Sequence, residues 1–179
     1  MVLLGCTPQG RHTEQHDIFF GIGTDLKDIV PQMEAFWPGV KLHIDAWRFV
    51  TQVGGYSISI VPAGEKENKN TLFFLNLGGY KQNEFEEFHY KLLTVSPDKG
   101  TAVKAAFQTA FYKHTGLPGN GASHIDDRYG VDVDDIFEIA DILPAALKTQ
   151  YSIAISDEPL NNITEDEMHL GYVKWSSLV

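Results

Sequence analysis

The chain has 179 residues, 43% of them apolar, enough to bury the core of one domain or of two small ones. A formal charge of −10 leaves no basic face of the kind that nucleic acid or an anionic membrane selects, so neither is expected as a partner. The single cysteine, Cys6, excludes an internal disulfide and suits a reducing compartment, and no apolar run approaches the ~20 residues of a membrane span.

Residues 1–6 form an apolar run, predicted as a strand, which Thr7-Pro8-Gln9-Gly10 ends as a turn. Leu3-Leu4-Gly5-Cys6 has the look of a lipoprotein cleavage box. It lacks the apolar core of about 7–15 residues that a signal peptide places ahead of its cleavage site, so the expected location is the cytoplasm. A polar connection leads to a strand at 18–22. Thr24 and Asp25 then offer an N-cap, with Leu26, Ile29, Val30, Met33, Phe36 and Trp37 at helical spacing. Pro31 sits badly inside that helix, and Pro38-Gly39 stops it. From 41 to 50 the pattern alternates, placing Leu42, Ile44 and Ala46 on one face and His43, Asp45 and Trp47 on the other. Gly54-Gly55 breaks the chain before a strand at 56–61, and the mixed-charge stretch 64–70 reads as an exposed linker.

The order then recurs. Strands are predicted at 72–77 and 89–95, and Ser96-Pro97-Asp98 starts a helix with Ser as cap. Its apolar stripe is Val103, Ala106, Phe107, Ala110 and Phe111. After a glycine-bearing exit at 114–123 come strands at 124–131 and 136–142, and the chain closes with strands at 151–155 and 169–175.

Two short patterns repeat in step with these elements. His43-Ile44-Asp45 returns as His124-Ile125-Asp126, and Glu-x-His occurs at Glu14–His16, Glu87–His89 and Glu167–His169. The offset that carries His16 to His89 also carries Leu4-Gly5 to Leu77-Gly78. These repeats set the fold reading. The expectation is an α+β fold of internally duplicated strand-strand-helix-strand-strand units about a pseudo-twofold axis, with a mixed sheet and an extra C-terminal hairpin. The copies are 1–66 and 70–147, and the half copy 150–179 packs with them to cover a sheet edge.

The run Val2–Arg11, with Glu14-Gln15-His16-Asp17-Ile18-Phe19-Phe20 and His43-Ile44-Asp45-Ala46-Trp47, resembles a small bacterial family, domain of unknown function 1543. That resemblance covers essentially all of copy 1 and copy 2 more loosely. It implies a domain present once or twice per chain. It implies no activity and no catalytic residues.

The side chains themselves offer three sites. His and Asp two apart on a strand point the same way, so His43 and Asp45 with His16 from a neighbouring strand make a two-His-one-carboxylate face for Fe(II), Mn²⁺ or Zn²⁺. Glu14 adds a ligand or a base. The copy 2 set is His89, His124 and Asp126. A helix between the candidate ligands argues against the strand barrel of iron-dependent oxygenases. The bland alternative is architectural, His43 pairing with Asp45 in both copies. The second site is the loop from Gly5 to His16, where Arg11 and free backbone N–H groups suit a small anion. Cys6 beside it reads as buried and inert. The third is the acidic run Asp126, Asp127, Asp132, Asp134, Asp135, Glu138 and Asp141, which lacks calcium-loop spacing and reads as a solvated hairpin. The leading expectation is a small binding or interaction module. The alternative is a small-molecule enzyme, metal-dependent, that works from His43, Asp45 and His16 with Arg11 as a further candidate.

Overall fold

The computed structural model describes residues 1–80, 83–108, 132–161 and 164–178, with backbone only at Tyr80 and Asp132. The chain divides into two compact units. One comprises Met1–Glu67 with Ile142–Val179, the other Asn68–Asp141. The class is α+β, with three sheets and few helices. Every described strand pairing is antiparallel, which corrects the expected mixed sheet.

In the first unit, β1 (Val2–Cys6) pairs with β2 (Gln15–Phe19) on one side and β3 (His43–Trp47) on the other. The outer edge of β3 is taken by β10 (His169–Val173). The sheet order is therefore β10-β3-β1-β2. A smaller sheet joins β4 (Gln52–Val53), β5 (Tyr56–Pro62) and β9 (Tyr151–Ile155). So β9 and β10 each complete a different sheet rather than forming the expected C-terminal hairpin. An edge strand is stabilised by whichever ladder lacks a partner, and sequence does not say which that is.

Helix α1 runs Val30–Phe36, later than the capping residues suggest. Residues 24–28 are instead wound into turns by carboxylates. Asp28 Oδ2 accepts from the Thr24 and Asp25 amides, and Asp25 Oδ1 accepts from Lys27 N. The late start puts Pro31 in the first turn, where its missing N–H has no intrahelical partner to lose. Val30 and Met33 face the sheet and close a core of Val2, Leu4, Cys6, Phe19, Ile29, Leu42 and Ile44.

The β1–β3 ladder is bulged beside the site. In the β1–β3 ladder Leu4 pairs with Ile44 but Leu3 pairs with Ala46, so Asp45 is the extra residue of a β-bulge. Simple alternation fails beyond it. Ala46 joins the face of His43 and Asp45, and Trp47 turns to pack against the core. The bulge overrides the expected assignment of Trp47 to the polar face. There His169 of β10 stacks on Trp47, ring centroids 3.9 Å apart.

The segment entering β10 is pinned by its acids. Asp166 accepts from Thr51 N and Thr51 Oγ1, both at 2.6 Å, and from Gln52 N at 2.9 Å. Burial would raise its pKa, but these bonds and the Arg48 charge outweigh burial and hold it below the usual 3.8. The unfolded chain therefore binds the Asp166 proton first. Its stabilisation is complete above about pH 4 and is lost as pH falls through the lower folded value. Asp166→Asn is expected to lower stability at pH 7 by about 1–2 kcal/mol, discounted for partial exposure. It should also flatten the acid limb of a stability–pH curve measured by urea unfolding. An unchanged acid limb would remove Asp166 from the account.

In the second unit, β6 (Thr71–Tyr80) is central, flanked by β7 (Glu87–Ser96) and β8 (Asp132–Glu138). Helix α2 (Lys99–Ala106) is capped by Asp98, which accepts from Thr101 N at 2.8 Å, not by the expected Ser96. Ala102 and Ala106 bury against Phe73, Leu75 and Leu77. The expected strand 136–142 ends early, because Ile139–Ile142 winds into a helical turn, α3. A further short helix, α4 (Ala145–Lys148), precedes β9. The predicted strand at 124–131 lies outside the described residues.

Candidate metal centre

Gly5 lies at the middle of the first site. It pairs with His16 across β2 and with His43 across β3, so both imidazoles rise from the sheet on either side of a residue with no side chain. Paired residues in an antiparallel ladder share a face. Alternation from His43 puts Asp45 on the same face, and the bulge leaves it between the rungs of Leu4 and Leu3. A Cβ on Gly5 would stand 2.3 Å from His43 Nε2 and 2.6 Å from Asp45 Oδ2, so only glycine leaves room for the cluster. Glu14, one residue before the start of β2, closes the fourth side.

The donor atoms converge. Glu14 Oε1 is 2.9 Å and Asp45 Oδ2 is 3.3 Å from His43 Nε2. Glu14 Oε2 is 3.6 Å and Asp45 Oδ2 is 3.2 Å from His16 Nε2. His43 and Asp45 form the floor, with side chains 12% and 26% exposed, and Glu14 and His16 form a wetter rim. Tyr172 of β10 packs a tilted ring on His43, centroids 4.9 Å apart. Asp45 Oδ2 is buried and accepts no hydrogen bond, although two imidazole nitrogens stand within ion-pair distance. Glu14, His16 and His43 each place one donor atom within 4.8 Å of the others, a spacing that a single metal ion can bridge.

The structure thus brings together His16, His43 and Asp45 as the sequence pattern suggests. Arg11 is not among them. It sits on the exposed turn between β1 and β2, where its backbone N–H bonds Pro8 O, and it makes no ion pair among the described residues. Cys6 lies on the opposite, core face, wholly buried, and burial first and the Glu14 charge second push its thiol pKa up. Both effects keep it protonated and unreactive.

The second sheet has a similar corner. His89 of β7 pairs with Gly78 of β6, and the β6–β8 ladder is bulged, with Asp134 as the extra residue between the Val133 and Asp135 rungs. Asp134 Oδ2 lies 3.2 Å from His89 Nε2, with Glu87 Oε2 at 3.9 Å. The candidates His124 and Asp126 lie outside the described residues. Asp134, read from sequence as one charge of a solvated hairpin, instead faces His89.

The family described as Domain of Unknown Function (DUF1543) matches residues 11–60. That span holds Glu14, His16, His43 and Asp45. Protein Il1583 from Idiomarina loihiensis has a similar fold in its crystal structure, with a TM-score of 0.61 over 96% of this chain and 92% of that one. At 20% identity the likeness concerns the fold alone. No curated protein matches the chain. No described helix is long and apolar enough to cross a membrane.

Proposed function

We propose that the chain is a divalent-metal-binding module whose principal site is Glu14, His16, His43 and Asp45. The observation that carries this reading is the buried, unbonded Asp45 Oδ2 between two imidazole nitrogens. Ligands at about 2.0–2.1 Å from a tetrahedral Zn²⁺ stand about 3.3 Å from one another. The four His–carboxylate separations here, taken to both oxygens of Glu14, run from 2.9 to 3.6 Å. Two carboxylates balance the charge of the ion, and neutral imidazoles complete the set. A purely architectural His–carboxylate pair would need neither the vacant Cβ position at Gly5 nor four converging groups.

An internal duplication accounts for the second corner. One offset carries Gly5, Glu14 and His16 to Gly78, Glu87 and His89, and the bulged acids Asp45 and Asp134 occupy equivalent ladder positions. The half-exposed rim leaves a bound ion within reach of small molecules. A metal-dependent enzyme would use these same residues, with Glu14 as base.

The test is calorimetric titration of the untagged, chelator-treated chain with Zn²⁺, beside His43→Ala and Asp45→Asn. Altering a ligand's outer partners costs about 10–100-fold in affinity, so loss of a direct ligand should cost at least about 100-fold. One tight equivalent that both variants lose is expected. Equal affinity in wild type and variants, or no binding at all, would make the cluster architectural.

A further inference from the structure

We propose that the second sheet carries its own, weaker divalent-cation site, built from Glu87, His89 and Asp134. The three residues each offer a donor atom, and those atoms lie within 4.8 Å of one another. More than proximity supports the site, because the sheet is shaped around it. A Cβ on Gly78 would stand 2.2 Å from Asp134 Oδ2, so the glycine holds open the space the carboxylate fills. Alternation from Asp132, the rung opposite Gly78, puts Asp134 on the face of His89, and the bulge gives the rung opposite Asn76 to Asp135 instead. A regular ladder would have used Asp134 as an ordinary rung.

The donor set implies a different ion from the first site. It holds one imidazole and two carboxylates, and oxygen-rich sets suit Mn²⁺ or Mg²⁺ better than Zn²⁺. Glu87 stands farther from the histidine than any neighbour in the first cluster, at 3.9 Å, so fewer protein ligands close on the ion and water completes its shell. Asn76 fits that picture. It shares the face of Gly78 two residues away, and its Oδ1 is buried without a hydrogen-bond partner. A metal-bound water is a donor suited to that oxygen. Beside the first site the corresponding rung is Leu3 between Ile18 and Ala46, apolar throughout, whereas here it is Asn76 between Lys91 and Asp135. The second site is therefore the more hydrophilic one, set for a hydrated, exchangeable cation.

The experiment is a titration of the full chain with Mn²⁺, followed by electron paramagnetic resonance of the free ion, after Zn²⁺ has filled the tight equivalent. Wild type should bind one Mn²⁺ at least about tenfold more weakly than it binds Zn²⁺. His89→Ala should remove that equivalent. So should Asp134→Asn, which keeps the side-chain shape and therefore the fold, and both should leave the Zn²⁺ equivalent within twofold. Circular dichroism identifies any variant that has failed to fold. Mn²⁺ binding that persists in both variants, or is absent from wild type, overturns the second site while leaving the first intact. Loss of the Zn²⁺ equivalent from wild type would strike the first site alone.

Discussion

Substituting Gly5 by alanine should abolish tight zinc binding, lowering affinity by at least about 100-fold, because the added methyl group collides with two of the donors. Its carbon would lie 2.3 Å from His43 Nε2 and 2.6 Å from Asp45 Oδ2, well inside contact distance. The backbone at Gly5 is ordinary extended strand, so the change introduces no strain in φ. Its whole effect is steric and local. His43 and Asp45 cannot both yield, since Tyr172 packs on one and the bulge fixes the other. The collision should also lower stability by about 1–3 kcal/mol, the usual range for overpacking. Calorimetric titration measures the first effect and urea unfolding the second. An alanine variant that binds zinc with unaltered affinity would show that the donors do not act together and would sink the proposed centre.

The parts of this site differ in how visible they are in sequence. Glu14, His16 and Gly5 stand in a linear pattern that recurs as Glu87, His89 and Gly78, and strand alternation puts His43 and Asp45 on one face. Those residues were legible because period-2 geometry is local. Asp134 was not. The tripeptide His124-Ile125-Asp126 draws the eye, yet the ladder places Asp132-Val133-Asp134-Asp135-Ile136 where the first sheet has His43-Ile44-Asp45-Ala46-Trp47. The shared signal is an Asp with apolar residues one before and two after it. That spacing breaks alternation, and a bulge is what makes the break consistent with one buried face. Trp47 changed sides for the same reason. The destinations of β9 and β10 were hidden for another cause, since both depend on which ladder ends without a partner, a property of the assembled sheets rather than of either strand.

Phe73→Ala should be among the most destabilising single changes in the second unit, at about 3–5 kcal/mol. Phe73 is 1% exposed and packs with Leu75, Leu77, Ala102 and Ala106. The helix residues opposite it are alanines, which allow α2 to sit close to the sheet but have no side chain to extend into a cavity. Movement of the helix to close the gap is opposed by Asp98, which ties the helix start through Thr101 N and Oγ1. Collapse is therefore incomplete, which places the cost toward the upper part of the range. Alternation along β6 sets Phe73 on the face opposite Gly78, so the truncation removes core without touching Glu87, His89 or Asp134. In the folded variant the manganese affinity should stay within about threefold of wild type, the scatter expected where a change has no contact with the ligand. The urea midpoint of the full chain, followed by circular dichroism, reads the stability. A midpoint equal to wild type would mean that α2 does not depend on this ring. A large loss of manganese affinity in a variant that remains folded would mean that the two faces of the sheet are coupled, and that the cation site draws its geometry from the helix-backed core.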